Sequence, residues 1–225
     1  MKKLMTAILV FDLMAGLLFL GLWESSKQAS MVSSNNVEND NLKKIAITFD
    51  DGPHPSYTEQ LLDGLKERGV HATFFVTGEH AGLHPEIIKR MQNEGHLIGN
   101  HTYSHIQLTK NNREDFKEEL IMTNKVIKEI TGEEVQYVRP PYGSWDKSFE
   151  KELNMFPVLW TVDPLDWSSK NVTGITRKIV TNTKENDIIL MHDYFETSVT
   201  AALKAIDELQ EKGYTFVTVD EILFD

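Results

Sequence analysis

Thr48-Phe49-Asp50-Asp51-Gly52-Pro53 closes an apolar, β-prone run that begins at Lys43. Successive side chains of a strand point to opposite faces, but a chain that turns at once on Gly52-Pro53 lets both carboxylates reach the strand mouth. Two acids this close repel each other, and a nearby cation relieves that repulsion. The pair reads as one metal ligand beside one free base. Taken alone it also reads as a polar loop with adjacent acids, so the rest of the chain has to decide.

Beyond that stretch, strand and helix patterns alternate. The strand candidates are Lys43–Phe49, Ala72–Val76, Leu97–Gly99, Gln136–Val138, Pro157–Thr161, Asp187–Met191 and Tyr214–Thr218. Helical patterns fill the intervals: Thr58–Arg68, with Leu61, Leu62 and Leu65 on one face, then His84–Glu94, with Pro85 in its first turn. Arg113–Thr131 aligns Phe116, Leu120, Ile127 and Ile130 and stops at Gly132; Trp145–Asn154, Thr173–Glu185 and Thr197–Lys212 complete the set. Strict alternation predicts an α/β fold with a parallel sheet and helices outside. Seven strand candidates within residues 42–225 suit a distorted (β/α)7 barrel better than an eight-fold one, which typically takes about 250 residues.

The 225 residues, 40% of them hydrophobic, suffice for one sizeable core. The absence of cysteine excludes disulfides, thiolate metal sites and lipid-modified cysteine. A net charge of -11 excludes nucleic acid as a partner, because phosphate binding needs a basic surface. A monomer is expected.

Residues 1–23 stand apart as a membrane or export helix. Lys2 and Lys3 precede Leu4–Trp23, which is apolar except for Thr6, Asp12 and small glycines. The segment is about long enough to span a bilayer. Asp12 opposes insertion by roughly 2.5–3.5 kcal/mol, which the surrounding Leu, Phe and Ile offset. Ala29 and Ser30, the best small-residue sites, lack a small residue two positions earlier. The segment therefore reads as a signal anchor holding an extracytoplasmic domain at the cell membrane; a cleaved signal peptide would make the protein secreted. Residues 24–41, rich in Ser, Asn, Gln, Glu and Lys, read as a flexible linker.

Ligand sites in parallel α/β folds gather at the carboxyl ends of the strands. Five of the expected strand ends carry reactive groups: Asp50-Asp51, Asn100–His105, Arg139–Gly143, Asp163–Trp167 and His192-Asp193. His101 and His105 lie four apart, so one helical turn or a tight loop aligns their imidazoles. With a carboxylate they supply two nitrogens and one oxygen, the ligand set of catalytic zinc sites. The same ligand types serve non-haem iron, so the set does not name its metal.

In order, Thr48–Gly52, His101-Thr102-Tyr103-Ser104-His105, Arg139-Pro140-Pro141-Tyr142-Gly143, Asp163-Pro164-Leu165-Asp166-Trp167 and Leu190-Met191-His192 resemble the five motifs of the polysaccharide deacetylases. These are the NodB-homology domains of carbohydrate esterase family four, and the resemblance covers residues 42 to about 220. It implies a distorted seven-stranded barrel and a divalent metal, usually zinc, that serves removal of acetyl groups from sugars. By resemblance Asp51, His101 and His105 hold the metal, Asp50 is the general base and His192 the general acid. Arg139 orients Asp50, Asp166 holds His192, the Tyr142 backbone N–H meets the oxyanion, and Trp167 and Leu190 receive the acetyl methyl.

Amide hydrolysis needs an activated water, a polarised carbonyl and a protonated leaving amine, and this set supplies all three. An outward-facing tether points to an acetylated envelope polysaccharide, peptidoglycan first, with chitin oligomers and acetylated xylan as alternatives. An inactive envelope carbohydrate-binding protein is the rival of another class; it would lack a base, acid or ligand, and none is lacking. His54, His71, His80, His84 and His96 fit no motif and read as surface or capping residues. Asn171-Val172-Thr173 is a glycosylation sequon of little weight beside a bacterial-style N-terminus.

Overall fold

The computed structural model describes residues 42–224. Seven strands, β1 (Lys43–Asp50), β2 (Thr73–Val76), β3 (Leu97–Asn100), β4 (Tyr137–Val138), β5 (Phe156–Pro157), β6 (Ile188–His192) and β7 (Tyr214–Phe216), form one sheet. Between them run α1 (Tyr57–Arg68), α2 (Gly78–Leu83), α3 (Pro85–Asn93), α4 (Arg113–Thr131), α5 (Ser148–Leu153), α6 (Val172–Asn182) and α7 (Glu196–Glu211), with α8 (Val219–Leu223) last.

Every pairing is parallel, in the order β5-β4-β3-β2-β1-β6, with β7 beside the first residues of β1. Central β1 is buried from Ile45 to Asp50, which is why its sequence reads as a continuous apolar run and not as an alternation. Leu61, Leu62 and Leu65 of α1 and Ala202, Ala205, Ile206 and Leu209 of α7 pack against it in the main core. The result is an α/β fold with a curled parallel sheet.

Three expectations shift. The strand predicted at Pro157–Thr161 is only Phe156–Pro157; the chain then runs irregularly to Val162, which makes an isolated bridge to Ile189. Thr161 and Val162 both donate to the Ile188 carbonyl, joining the β5 side of the sheet to β6. The short helix α2 was not expected: its six residues are too few to show a period. Trp145 lies outside its helix, which begins at Ser148.

Among the described residues no helix is long and apolar enough to cross a membrane. The segment expected as signal anchor, residues 1–23, and the linker, 24–41, lie outside the described residues.

Candidate active site

β1 and β6 pair in register so that Asp50 lies opposite His192. Asp50 is buried at the end of β1, and the Arg139 guanidinium fixes it: Nη1 donates to Oδ1 at 2.9 Å and to Thr48 Oγ1 at 2.5 Å. The other guanidinium nitrogens donate to the Val158 and Leu159 carbonyls. Its Cζ lies 4.2 Å from the centroid of the Phe75 ring. Room for that ring comes from Gly99, where a Cβ would fall 2.4 Å from Phe75. Burial pushes the fully enclosed guanidinium down, and the Asp50 charge and hydrogen bond oppose it. A buried cation is tolerated only when paired in this way, and the pairing leaves Asp50 Oδ2 facing His101 Nε2 at 3.8 Å.

Asp51 leaves the strand with a left-handed backbone, φ 75°, a conformation aspartate tolerates better than most residues. Its Oδ1 lies 3.4 Å from His101 Nε2 and 3.4 Å from His105 Nε2. That oxygen is buried and has no hydrogen-bond partner. Burial alone would raise the carboxyl pKa; the neighbouring imidazoles of His101, His192 and His105 outweigh it and bring the value to about 2. His105 is pushed down by burial and by His101.

His101 directly follows β3, and its Nδ1 donates to the Arg139 carbonyl at 2.5 Å. A carbonyl only accepts, so the proton sits on Nδ1 and the Nε2 lone pair is left for Asp51's side. His105 is reached through a tight loop, not a helical turn, with left-handed residues at Thr102 and His105. Two imidazole nitrogens thus converge on an unpartnered carboxylate oxygen, the ligand atoms all lying within 4.8 Å of one another. A cation is what satisfies such a donor set, so the residues present fit a divalent metal.

His192 stands across the pocket. Its Nδ1 donates to Asp166 Oδ1 at 3.0 Å, and its backbone N–H donates to Oδ2 of the same buried carboxylate at 2.9 Å. Burial would lower the imidazole pKa, but the hydrogen bond and charge of Asp166, with the charges of Asp50 and Asp51, raise it to about 9. With Nδ1 taken, Nε2 is the nitrogen left for a substrate.

These groups line one pocket of about 420 Å³, with Tyr142, Trp160, Trp167, Leu190 and Phe195 as its apolar walls. Leu190 is 4% exposed and belongs to the floor, whereas Trp167 at 57% belongs to the rim. Every sequence-predicted site residue therefore either faces this pocket or holds one that does. Sequence reading missed Trp160 and Phe195, which lie outside the matching strings. It also misread two histidines. His80 Nδ1 donates to the Asp51 carbonyl at 2.8 Å and so supports the turn bearing that carboxylate. His96 is buried and accepts from the Ala72 N–H, so it is neither surface nor cap. His54 does cap, accepting from Ser56 and Tyr57 N–H at the start of α1.

A curled parallel α/β sheet whose strand mouths carry this constellation defines a protein of the NodB-homology class. The chain belongs to the polysaccharide deacetylase family: the family model described as Polysaccharide deacetylase matches residues 38–158. It is similar to a peptidoglycan-N-acetylglucosamine deacetylase of Bacillus cereus, 40% identical over 186 residues, or 80% of this chain and 68% of that one. The peptidoglycan-N-acetylmuramic acid deacetylase PdaC of Bacillus subtilis is 40% identical over 182 residues, or 81% of this chain but only 39% of PdaC. The chain thus spans about two thirds of the first relative and about two fifths of the second. The solved structure of PdaC superposes with a TM-score of 0.78, covering 81% of this chain and 90% of that one.

Proposed function

We propose that this chain is a metal-dependent hydrolase that removes the acetyl group from N-acetylated sugars of an envelope polysaccharide, peptidoglycan. One observation carries the reading: the Asp51–His101–His105 set, with Asp51 Oδ1 unpartnered, shares a pocket with an arginine-held carboxylate and a carboxylate-held histidine. Two relatives named as peptidoglycan deacetylases support the substrate class. The ring of strands, with its Val162–Ile189 bridge, is read as the distorted (β/α)7 barrel of this family.

Asp51, His101 and His105 would hold the divalent ion, zinc, which when bound polarises the acetyl carbonyl and lowers the pKa of the attacking water. Asp50, oriented by Arg139, takes that water's proton as its oxygen bonds to the carbonyl carbon. The Tyr142 backbone N–H receives the developing oxyanion. As the C–N bond breaks, His192 Nε2 delivers a proton to the nitrogen, so the sugar leaves as a neutral amine and acetate remains. Trp167 and Leu190 wall the space for the acetyl methyl. Leu4–Trp23 would tether the chain to the cell membrane, with the domain outside; mature protein recovered from the medium and starting between residues 24 and 42 would mean a cleaved signal instead.

Acetate release by the purified, zinc-loaded protein from peptidoglycan, chitin oligomers and acetylated xylan tests the assignment. Release should be fastest from peptidoglycan. Preference for acetylated xylan would make the protein an esterase, and release from none would leave an envelope carbohydrate-binding protein.

A further inference from the structure

The loop that carries the two ligand histidines has no regular structure of its own, yet both its polar edges are clamped from outside. On one side α2 reaches it: Gly78 N–H donates to the Thr102 carbonyl at 3.0 Å and Glu79 N–H to the Tyr103 carbonyl at 3.1 Å. On the other side stands a single carboxylate from α4, outside all five matching strings. Glu119 Oε2 accepts from the Tyr103 N–H at 3.0 Å and from the Ser104 N–H at 2.8 Å, while Oε1 accepts from Ser104 Oγ at 2.5 Å.

Tyr103 and Ser104 are two of the three residues separating His101 from His105. The flanking Thr102 and His105 hold left-handed conformations, φ 62° and 61°. Such conformations disfavour non-glycine residues and persist only where the surroundings enforce them. Adjacent amides turned toward one carboxylate are an arrangement that charge-assisted hydrogen bonds make strong. Asn100 adds a lighter hold, accepting from the Thr102 N–H while its own amide donates to the Leu120 carbonyl and Asn124 of the same helix. The path of the loop, and with it the direction of His105 Nε2 toward Asp51, thus depends on α4.

We propose that Glu119 is a positioning residue for the metal centre, setting the affinity of the Asp51–His101–His105 set without touching the ion. This rests on the reading that those three residues bind a divalent cation.

The test measures zinc affinity of the full chain by competition with a chromophoric chelator, alongside the visible spectrum of the cobalt-loaded protein and the melting temperature of the metal-free protein. Support for a metal site depends on hydrogen bonds around its ligands, and losing them typically weakens binding by about 10–100-fold. Glu119→Ala should weaken zinc by that factor and alter the cobalt spectrum, whereas exposed Glu118→Gln should change neither. Glu119→Gln keeps the size but replaces one acceptor oxygen by a donor, so its loss should be intermediate; it carries the test if the alanine variant does not fold. Wild-type zinc affinity in Glu119→Gln and Glu119→Ala would overturn the proposal, as would a lowered melting temperature with affinity and cobalt spectrum unchanged. Failure of the wild-type chain to take up zinc or cobalt would instead strike the metal reading itself, before any variant is made.

Discussion

Two histidines at opposite ends of the same sheet, one partly buried and one buried, hold opposite charge preferences. His192, at the carboxyl mouth, is raised to about 9, while His96, just before β3 at the amino foot, is lowered to about 4. Burial disfavours the imidazolium at both. At the mouth, Nδ1 faces the Asp166 carboxylate, and proton and charge are welcomed. At the foot, Nδ1 accepts from the Ala72 N–H and Nε2 has no partner, so a second proton on Nδ1 would meet a donor. His71 and Arg90 add repulsion there, only partly offset by Glu94. The neighbour, and not the depth, decides whether a buried histidine is an acid or an inert filler. The mouth stores charge for chemistry; the foot is built for stability.

The sharpest way to break this contrast is to strip the mouth of its cation set. His101→Ala combined with His105→Ala should abolish both zinc uptake and acetate release while leaving the fold intact. Elemental analysis and a circular-dichroism melt check it, and full zinc occupancy in the double variant would end the metal assignment.

Next in size is Asp50→Asn, which should lower turnover by about 10²–10⁴-fold, the usual contribution of a positioned base. Zinc should stay bound, because Asp50 is assigned as base and not as ligand. Loss of zinc in this variant would exchange the roles of the two neighbouring aspartates.

Asp166→Asn probes the histidine of the mouth directly. His192 must be protonated to act as acid, so activity should fall as pH rises through its folded pKa. Neutralisation of Asp51 by a bound cation removes one of the charges that raise it. The alkaline limb of the metal-loaded protein should therefore lie below 9 but above 6.5, since Asp166 contributes more than Asp51. Asp166→Asn removes the dominant charge, so the limb should move to lower pH and the rate at neutral pH should drop. A limb that stays put in the pH–rate profile would mean that another group titrates there.

The smallest effect on activity belongs to the foot. His96→Asn keeps an acceptor for the Ala72 N–H but cannot titrate, so acetate release at neutral pH should be unchanged. Stability should reveal it. A histidine whose folded pKa is lowered from 6.5 to about 4 contributes stability that is full above 6.5 and lost as pH falls between those values, by roughly 3 kcal/mol. The variant's unfolding free energy should decline less steeply over that window. His192 has the opposite sign: its contribution is full below 6.5 and is lost as pH rises through about 9. Equal acid slopes in the wild type and His96→Asn would show that His96 is not the group that destabilises the fold in acid.

Much of this was legible in the chain. Arg113–Thr131 was bounded correctly at both ends because nineteen residues display several turns of a 3.6 period and Gly132 supplies a left-handed cap. The strings that line the pocket were legible because each is a run of consecutive residues, most of them at a strand end. By contrast α2 is too short for periodicity, and the irregular run after Pro157 is apolar enough to imitate a strand.

The sequence by itself determined the alternation of elements, the strand-end location of the reactive groups and the residue types of the site, since these are properties of neighbours along the chain. Only the tertiary structure decided which partners the residues outside those strings meet. Glu119 lies fifteen residues from the Ser104 amide it holds, His80 twenty-nine from the Asp51 carbonyl, and His96 twenty-four from the amide that keeps it neutral. Hydrogen-bond direction and charge state depend on what stands within a few ångströms in space, and the one-dimensional pattern does not carry that distance.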